Sequence, residues 1–231
     1  MKRFYKTVSV APRDGGFALL LDGKPVRTPA GKALILPTEK LALAIAAEWR
    51  EQGDEVAAIT MPLLRLANTV IDGVAANPAG TVAAILRFGE NDLLCYRAHQ
   101  PQELAARQGA GWDPLLDWAG RKHGARMRVA AGLTHVDQPA GALEALRQAL
   151  EGFDAFSLGG LHVIASITGS TVLALAVADG FVSSIDAFKL SRIDETYQAE
   201  KWGEDAEAAK RAAALAFELD KAAELIASVR T

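Results

Sequence analysis

The segment from residue 194 to residue 207 concentrates carboxylates around two large aromatic side chains. Tyr197 and Trp202 lie within it, and Lys201 is its one base against six acids, which gives a net charge of −5. The acids are Asp194, Glu195, Glu200, Glu204, Asp205 and Glu207. Such a segment could form an acid–base active site, a metal site or a surface that another protein binds.

The spacing of these acids favours a distributed surface over a catalytic pair. Acid–base chemistry needs two carboxylates held close together, one of them in an apolar pocket. On a helix Glu195 and Trp202 share a face, so Trp202 could desolvate Glu195, but Glu200 points well away from it. Asp205 also suits the N-cap of the last helix. Aromatic groups among polar ones suit an interaction surface, although Tyr197 and Trp202 could equally anchor a core.

Other combinations of reactive residues predict no catalytic, metal or cofactor site. Cys95 and His99, four residues apart, could face each other on a helix as nucleophile and base or as two metal ligands, but a partly buried thiol is favoured. One cysteine and four scattered histidines do not form zinc motifs, and His162 is predicted to be a hydrogen-bonded core histidine. The histidines are His99, His123, His135 and His162. Neither GxGxxG nor GxxxxGK[ST] occurs.

Charge gives no general reason to bind nucleic acid or an acidic membrane. The net charge is −3 and the sequence pI is about 5.8. The basic run RKHGARMR (121–128) lacks interleaved aromatics and indicates a solvated edge. GSTV (169–172) could direct a helix N-terminus at an anion, but its apolar surroundings favour a buried helix junction.

Length and composition predict a globular chain without disulfides. Half of the 231 residues are hydrophobic, enough for one large domain or two small ones. A single cysteine excludes an intrachain disulfide and fits a reducing compartment. Residues 156–178 contain no charged residue, but glycines and hydroxyl groups interrupt them, so two short buried helices are expected rather than a membrane span.

The pattern of elements predicts an α+β fold in two parts. Apolar and polar residues alternate in parts of residues 1–37, and four prolines in this segment argue against a long helix. Asp22 and Gly23 form a hairpin-turn signal, so a small antiparallel β unit is predicted. Residues 38–231 are predicted to form an α-helical domain, whose first helix begins after the N-cap Thr38. Further predictions are helices over 63–72, 184–202 and 205–228, one or two helices over 100–124 interrupted around 109–114, and a short strand over 125–130.

Six motifs occur in order along the whole chain and together resemble a known family. They are RFYK.V.V (3–10), LDGKPVRTPAG (21–31), LPT..LA.AIAAEW..Q (36–52), MPL..LANT..D (61–72), DLLCYRA (92–98) and YQ.EKWGEDAE (197–207). The chain resembles the ATP synthase assembly chaperones that bind the alpha subunit of the F-type catalytic head.

The resemblance implies a non-enzymatic chaperone, without cofactor or metal, that binds unassembled alpha subunit and releases it to the beta subunit. It implies partner-binding roles for Glu195, Glu200, Trp202 and Asp205. The free chain is expected to be a monomer with no membrane insertion and no nucleic-acid partner. Because RFYK stands at the start without a leader, a bacterial cytoplasmic location is expected, whereas eukaryotic relatives are mitochondrial.

Two further side chains receive structural roles from the same motifs. Trp49 is expected to tie the first helix to the helical domain. DLLCYRA is expected to be a packed helix whose Arg97 pairs with a buried acid. The alternative to the chaperone is an enzyme that uses the carboxylates around Glu195 and Glu200 for acid–base chemistry.

Overall fold

The protein is described by a computed structural model that covers residues 1–132 and 135–230. A small antiparallel sheet precedes a set of helices, which confirms the predicted α+β class. The described helices are α1 (Glu39–Arg50), α2 (Pro62–Asp72), α3 (Pro78–Glu90), α4 (Gln102–Lys122), α5 (Ala140–Glu151), α6 (Ala155–Thr168), α7 (Thr171–Ala178), α8 (Ser184–Ser191), α9 (Ile193–Trp202) and α10 (Ala206–Val229). Short 3₁₀ helices span Ala58–Thr60, Val74–Ala76 and Leu93–Cys95.

The N-terminal sheet is organised around its second strand. Strands β1 (Val8–Arg13) and β2 (Gly16–Leu21) pair antiparallel, and β3 (Lys24–Pro25) and β4 (Ile35–Leu36) both pair antiparallel with β2. Asp22 and Gly23, with φ of 47° and 76°, form the turn between β2 and β3, so the predicted hairpin is confirmed.

Helices α1 and α2 cover this sheet and share a hydrophobic cluster with it. Leu19 and Leu36 of the sheet pack with Ile45 and Trp49 of α1, and Leu225 of α10 joins them. The Trp49 ring is buried in this cluster and packs edge-on against Tyr5, with the ring centroids 5.2 Å apart, and its expected role of tying α1 to the helical domain stays a prediction. The cluster includes residues on both sides of position 37, and the division of the chain at 37 and 38 stays a prediction.

A carboxylate from α1 caps the start of α2. Met61 provides no capping oxygen of its own. The buried Glu48 accepts hydrogen bonds from the backbone N–H of Leu63 at 2.8 Å and of Leu64 at 2.9 Å. Burial raises the pKa of Glu48, and these two hydrogen bonds oppose that rise. The first turn of α2 is thus fixed by a neighbouring helix.

The far end of α2 is joined to the sheet loop that follows β3. Asp72 accepts hydrogen bonds from Thr28 Oγ1 at 2.6 Å and from the Ala30 N–H at 3.1 Å. Lys32 Nζ donates to the Ile71 carbonyl at 2.8 Å. Two of the six sequence motifs therefore meet at this junction.

The larger core surrounds α6 and α7, which form the predicted pair of short apolar helices. Gly169, with φ of 66°, ends α6, and Ser170 caps α7 by accepting from the Leu173 N–H. Asp92 is fully buried and accepts from the Val172 and Leu94 N–H groups, both at 3.1 Å. Burial raises the pKa of Asp92 to about 6.

Within 1–132 and 135–230, no single helix is long and apolar enough to cross a membrane. The bent pair Pro62–Ala76 and Pro78–Cys95 meets the length and composition criteria only when its two parts are taken together.

Helix α4 is continuous, so the predicted interruption around 109–114 is wrong. Pro114 lies inside it, and Gly111 serves packing instead of a break. A Cβ on Gly111 would lie 2.9 Å from Leu190 Cδ2 and 3.0 Å from Ile193 Cδ1. Glycine at this position therefore lets α4 approach the junction of α8 and α9 closely, since a Cβ would force the ends of these two side chains to shift.

The DLLCYRA segment is a 3₁₀ turn followed by a strand, so the prediction of a packed helix is wrong. Strand β5 (Tyr96–Arg97) pairs in parallel with β6 (Ala130–Ala131), which lies at the end of the strand predicted over 125–130. Arg97 pairs with Asp113 at 2.6 Å, and the Asp113 side chain is 65% exposed. The acid that pairs with Arg97 is therefore not buried, contrary to expectation.

The predicted helix over 184–202 is two helices, α8 and α9, which meet at Arg192. The Leu190 carbonyl accepts a hydrogen bond from Trp112 Nε1 at 2.8 Å. In a continuous helix this carbonyl would accept from the N–H of residue 194. The indole of α4 takes that place and stabilises the bend.

Candidate functional site

Three of the predicted partner-binding residues meet where α9 turns into α10. Trp202 ends α9 and is 79% exposed, and Glu195 lies two turns earlier on the same face. Gly203, with φ of 94°, allows the chain to leave the helix. Asp205 then caps α10 by accepting from the Glu207 N–H at 2.9 Å. Asp205 therefore has the capping role predicted for it.

These residues line an open groove of about 490 Å³, here called the Trp202 groove and defined by Glu195, Trp202, Asp205 and the facing side of α10. Its α10 wall consists of Ala208, Ala209 and Ala212, and Phe188, Lys189 and Arg192 lie at its other side. Glu195 forms an ion pair with Arg192 at 3.1 Å, and its side chain is 48% exposed. The groove thus combines one large exposed aromatic ring, a smooth apolar wall and accessible carboxylates.

The first half of α10 is less buried than its second half. None of the described residues 206–218 is buried, and the buried positions begin at Leu219. Alanine occupies seven of positions 206–216, and Phe217 is exposed. This surface was not predicted from the sequence, although the dense alanine pattern signals a helix side that a second element could approach closely.

Glu200 lies outside the groove and joins α9 to α4. Its carboxylate accepts from Arg107 at 2.7 Å, and Arg107 also pairs with Glu103 at 2.8 Å. The hydrogen bond to Glu200, with a further one to Glu103, raises the pKa of Arg107. Tyr197 is buried against this network, with Arg107 5.2 Å and Lys201 5.1 Å from its ring centroid.

A buried amide adds a second link between α4 and α9. Gln108 is 1% exposed, donates to Asp194 Oδ1 at 2.5 Å and accepts from the Ala98 N–H at 2.7 Å. Of the two aromatic residues, Tyr197 is therefore a core anchor and Trp202 is exposed. The α4 contacts hold α9 in place and leave its other side free.

The geometry does not bring together a catalytic or metal-binding set at the positions considered. Cys95 is fully buried, and burial together with the nearby Asp92 raises the pKa of its thiol to about 12. Cys95 ends a 3₁₀ turn and His99 follows β5, so the two do not share a helix. His162 is only partly buried, which differs from the expected core position. Across 1–132 and 135–230, no group of three or more His, Cys, Asp or Glu residues is placed to hold a metal.

Comparison with known proteins decides the family. Residues 2–120 match the family model described as ATP12 chaperone protein. The chain belongs to the ATP12 chaperone family. Its resemblance to the ATP synthase assembly chaperones is thereby confirmed, and its ATP12 match spans the β unit, α1 to α3 and most of α4.

Solved structures and a curated relative extend the ATP12 similarity to the C-terminal helices. The crystal structure of Atp12 from Paracoccus denitrificans superposes with a TM-score of 0.95 at 40% identity, covering 99% of this chain and 98% of that one. A candidate chaperone from Agrobacterium tumefaciens gives 0.96 at 44% identity, covering 99% and 86%. The mitochondrial protein atp12 of Schizosaccharomyces pombe is 26% identical in an alignment of 214 residues, and the match covers 87% of this chain and 74% of that protein.

Proposed function

We propose that this ATP12 family protein binds the unassembled alpha subunit of the F-type ATP synthase and prevents its aggregation. The beta subunit then replaces the chaperone on the alpha subunit. The binding surface is the Trp202 groove together with the first half of α10. The observation that carries this proposal is the 79% exposure of Trp202 beside the first half of α10, in which no residue is fully buried.

The composition of the groove suits a protein partner. Tryptophan dominates many protein interfaces because its ring buries a large apolar area with little loss of side-chain freedom. The alanines of α10 let a partner helix or strand come close to the backbone. Glu195 and Asp205 complement a basic region of the client, and such charges chiefly set orientation and association rate.

The alternative of a carboxylate enzyme has less support from the geometry. Glu195 lines the groove, whereas Glu200 points to α4 and pairs with Arg107. Both carboxylates are nearly half exposed, at 48% and 46%. A general acid is usually held in an apolar pocket that raises its pKa, and neither side chain has that environment.

The test is a light-scattering assay of purified alpha subunit warmed with the wild-type chain or a variant. We expect Trp202→Ala to lose about 2 kcal/mol of binding free energy, or about 30-fold in affinity, and to protect poorly. Glu195→Lys should also protect less well. Both substitutions are exposed, so the free energy of unfolding should change by about 0.5 kcal/mol or less.

Glu90→Lys provides the matched control, because Glu90 is an exposed acid at the end of α3 outside the groove. It should protect as the wild type does. If Trp202→Ala and Glu195→Lys melt normally and still protect the alpha subunit fully, the Trp202 groove is not the client-binding surface.

We also propose that the protein acts as a monomer in the bacterial cytoplasm. Two of the solved relatives come from bacteria, and the relative from Schizosaccharomyces pombe is mitochondrial. Sedimentation of the free chain tests the first part, with a single species of 24.5 kDa expected. Cell fractionation tests the second.

A further inference from the structure

A second cavity lies on the opposite part of the chain, between the N-terminal sheet and helices α1 and α2. Its volume is about 580 Å³, and it is separate from the Trp202 groove. Its wall is mostly apolar and includes Tyr5, Leu21, Val26 and Leu64. The size and lining are those of a site that encloses a ligand segment.

Two buried polar atoms on residues of this wall have no hydrogen-bond partner within residues 1–132 and 135–230. They are Trp49 Nε1, a donor, and Asn68 Oδ1, an acceptor. The Trp49 side chain is only 6% exposed. Buried polar groups are rarely left unpaired, because the loss of their hydrogen bonds to water is not compensated. The pair therefore points to a ligand that offers both an acceptor and a donor.

The rim of the cavity is apolar and positively charged. Met1 and Phe4 line it and are 72% and 62% exposed. Lys24 and Arg27 supply two positive charges at the rim. The one carboxylate there, Asp22, already accepts hydrogen bonds from the backbone N–H groups of residues 6 and 7 and from the Thr7 hydroxyl. An occupant with apolar and acidic side chains fits this rim.

We propose that this cavity binds an extended peptide segment in which apolar and acidic side chains alternate. The backbone of such a segment supplies a carbonyl for the Trp49 indole N–H and an amide N–H for the Asn68 carbonyl, once the side chains that cover these two atoms in the free chain move aside. Its apolar side chains cover the rings at the rim, and its carboxylates face Lys24 and Arg27. This surface is a binding site in addition to the one proposed for the alpha subunit, and its chemistry does not depend on that proposal.

The test is fluorescence anisotropy of a fluorescein-labelled heptapeptide of alternating glutamate and valine, titrated with the full chain. The same peptide with lysine in place of glutamate should bind on the order of tenfold more weakly. Trp49→Phe removes the donor and keeps an aromatic ring, and it should weaken binding about fivefold. Lys24→Glu should weaken binding at least as much with an unchanged melting temperature. Arg87→Glu, an exposed control on α3, should have no effect.

Several results would overturn the proposal. Equal binding of the two peptides, no binding, or binding that neither Trp49→Phe nor Lys24→Glu changes would each do so. If Trp49→Phe does not fold, peptide binding by Asn68→Leu and Lys24→Glu replaces it as the test, and unchanged binding by both would overturn the proposal. A concentration-dependent dimer that Lys24→Glu dissociates would assign the cavity to a second copy of the chain. Loss of peptide binding in Trp202→Ala would assign the peptide to the Trp202 groove, whereas unchanged binding supports a separate site.

Discussion

The cap that Glu48 provides for α2 leads to a quantitative prediction about stability. Glu48→Ala leaves the Leu63 and Leu64 N–H groups without their acceptors in a buried region. Each such loss costs about 1–3 kcal/mol, so the free energy of unfolding should fall by about 2–6 kcal/mol. For a chain of this length about 1 kcal/mol corresponds to about 2–4 °C, which predicts a melting temperature lower by about 4–24 °C.

The assay is thermal and urea unfolding followed by circular dichroism, with two comparison variants. Glu48→Gln keeps one acceptor oxygen and should lose about half as much stability as Glu48→Ala. Glu51→Ala replaces an exposed acid at the end of the same helix and should change the free energy of unfolding by about 0.5 kcal/mol or less.

A Glu48→Ala protein that unfolds with the wild-type midpoint would refute the capping argument. It would mean that water or a backbone shift satisfies the two N–H groups without cost. A large loss in Glu51→Ala would point instead to a general effect of charge on α1.

Two other predictions concern the larger core. Because the pKa of Asp92 is raised to about 6 in the folded chain, its stabilising contribution is full below about pH 4 and is lost as the pH rises through 6. The free energy of unfolding of the wild type should therefore fall by about 3 kcal/mol over this pH range because of Asp92, and Asp92→Asn should not show this fall. The measurement is the difference between the two proteins in the free energy of unfolding at each pH. Gly160→Ala places a Cβ 2.8 Å from the Ala222 carbonyl oxygen of α10 and should destabilise the chain by about 1–3 kcal/mol in urea unfolding. Gly141→Ala, where the added Cβ meets nothing within 4 Å, is its control and should not destabilise. Equal destabilisation by Gly160→Ala and Gly141→Ala would contradict the packing argument. A difference between wild type and Asp92→Asn that does not change with pH would contradict the argument about Asp92.

Much of the fold could be predicted from local sequence signals. The Asp22–Gly23 turn, the Thr38 cap and the division of the apolar run by Gly169 each depend on backbone preferences of one or two residues. These preferences act over short distances, so they are readable without the partner elements.

The errors arose where a distant side chain overrides the local signal. Nothing in residues 184–202 marks the bend at Arg192, because the Trp112 indole that stabilises it lies on α4. The glycines and the proline of 109–114 predict an interruption, but α4 continues through them, and Gly111 packs closely against Leu190. Packing between helices is not encoded in the pattern of either helix alone.

The candidate site was only partly predictable for the same reason. Spacing correctly placed Glu195 and Trp202 on one side of a helix, and the N-cap pattern identified Asp205. The opposite direction of Glu200 was also evident, but its partner Arg107 lies far away in sequence. The exposure of the first half of α10 depends on which elements lie beside the helix, and this is seen only in the structure.

The most direct test of the account is capture of the alpha subunit from native lysate by the tagged chain, quantified by mass spectrometry. We expect enrichment of the alpha subunit over the beta subunit, and loss of that enrichment in Trp202→Ala but not in Glu90→Lys. Recovery of the beta subunit alone, or of no synthase subunit under conditions that preserve weak complexes, would contradict the proposed function. Retention of the alpha subunit by Trp202→Ala would place its binding surface elsewhere on the chain.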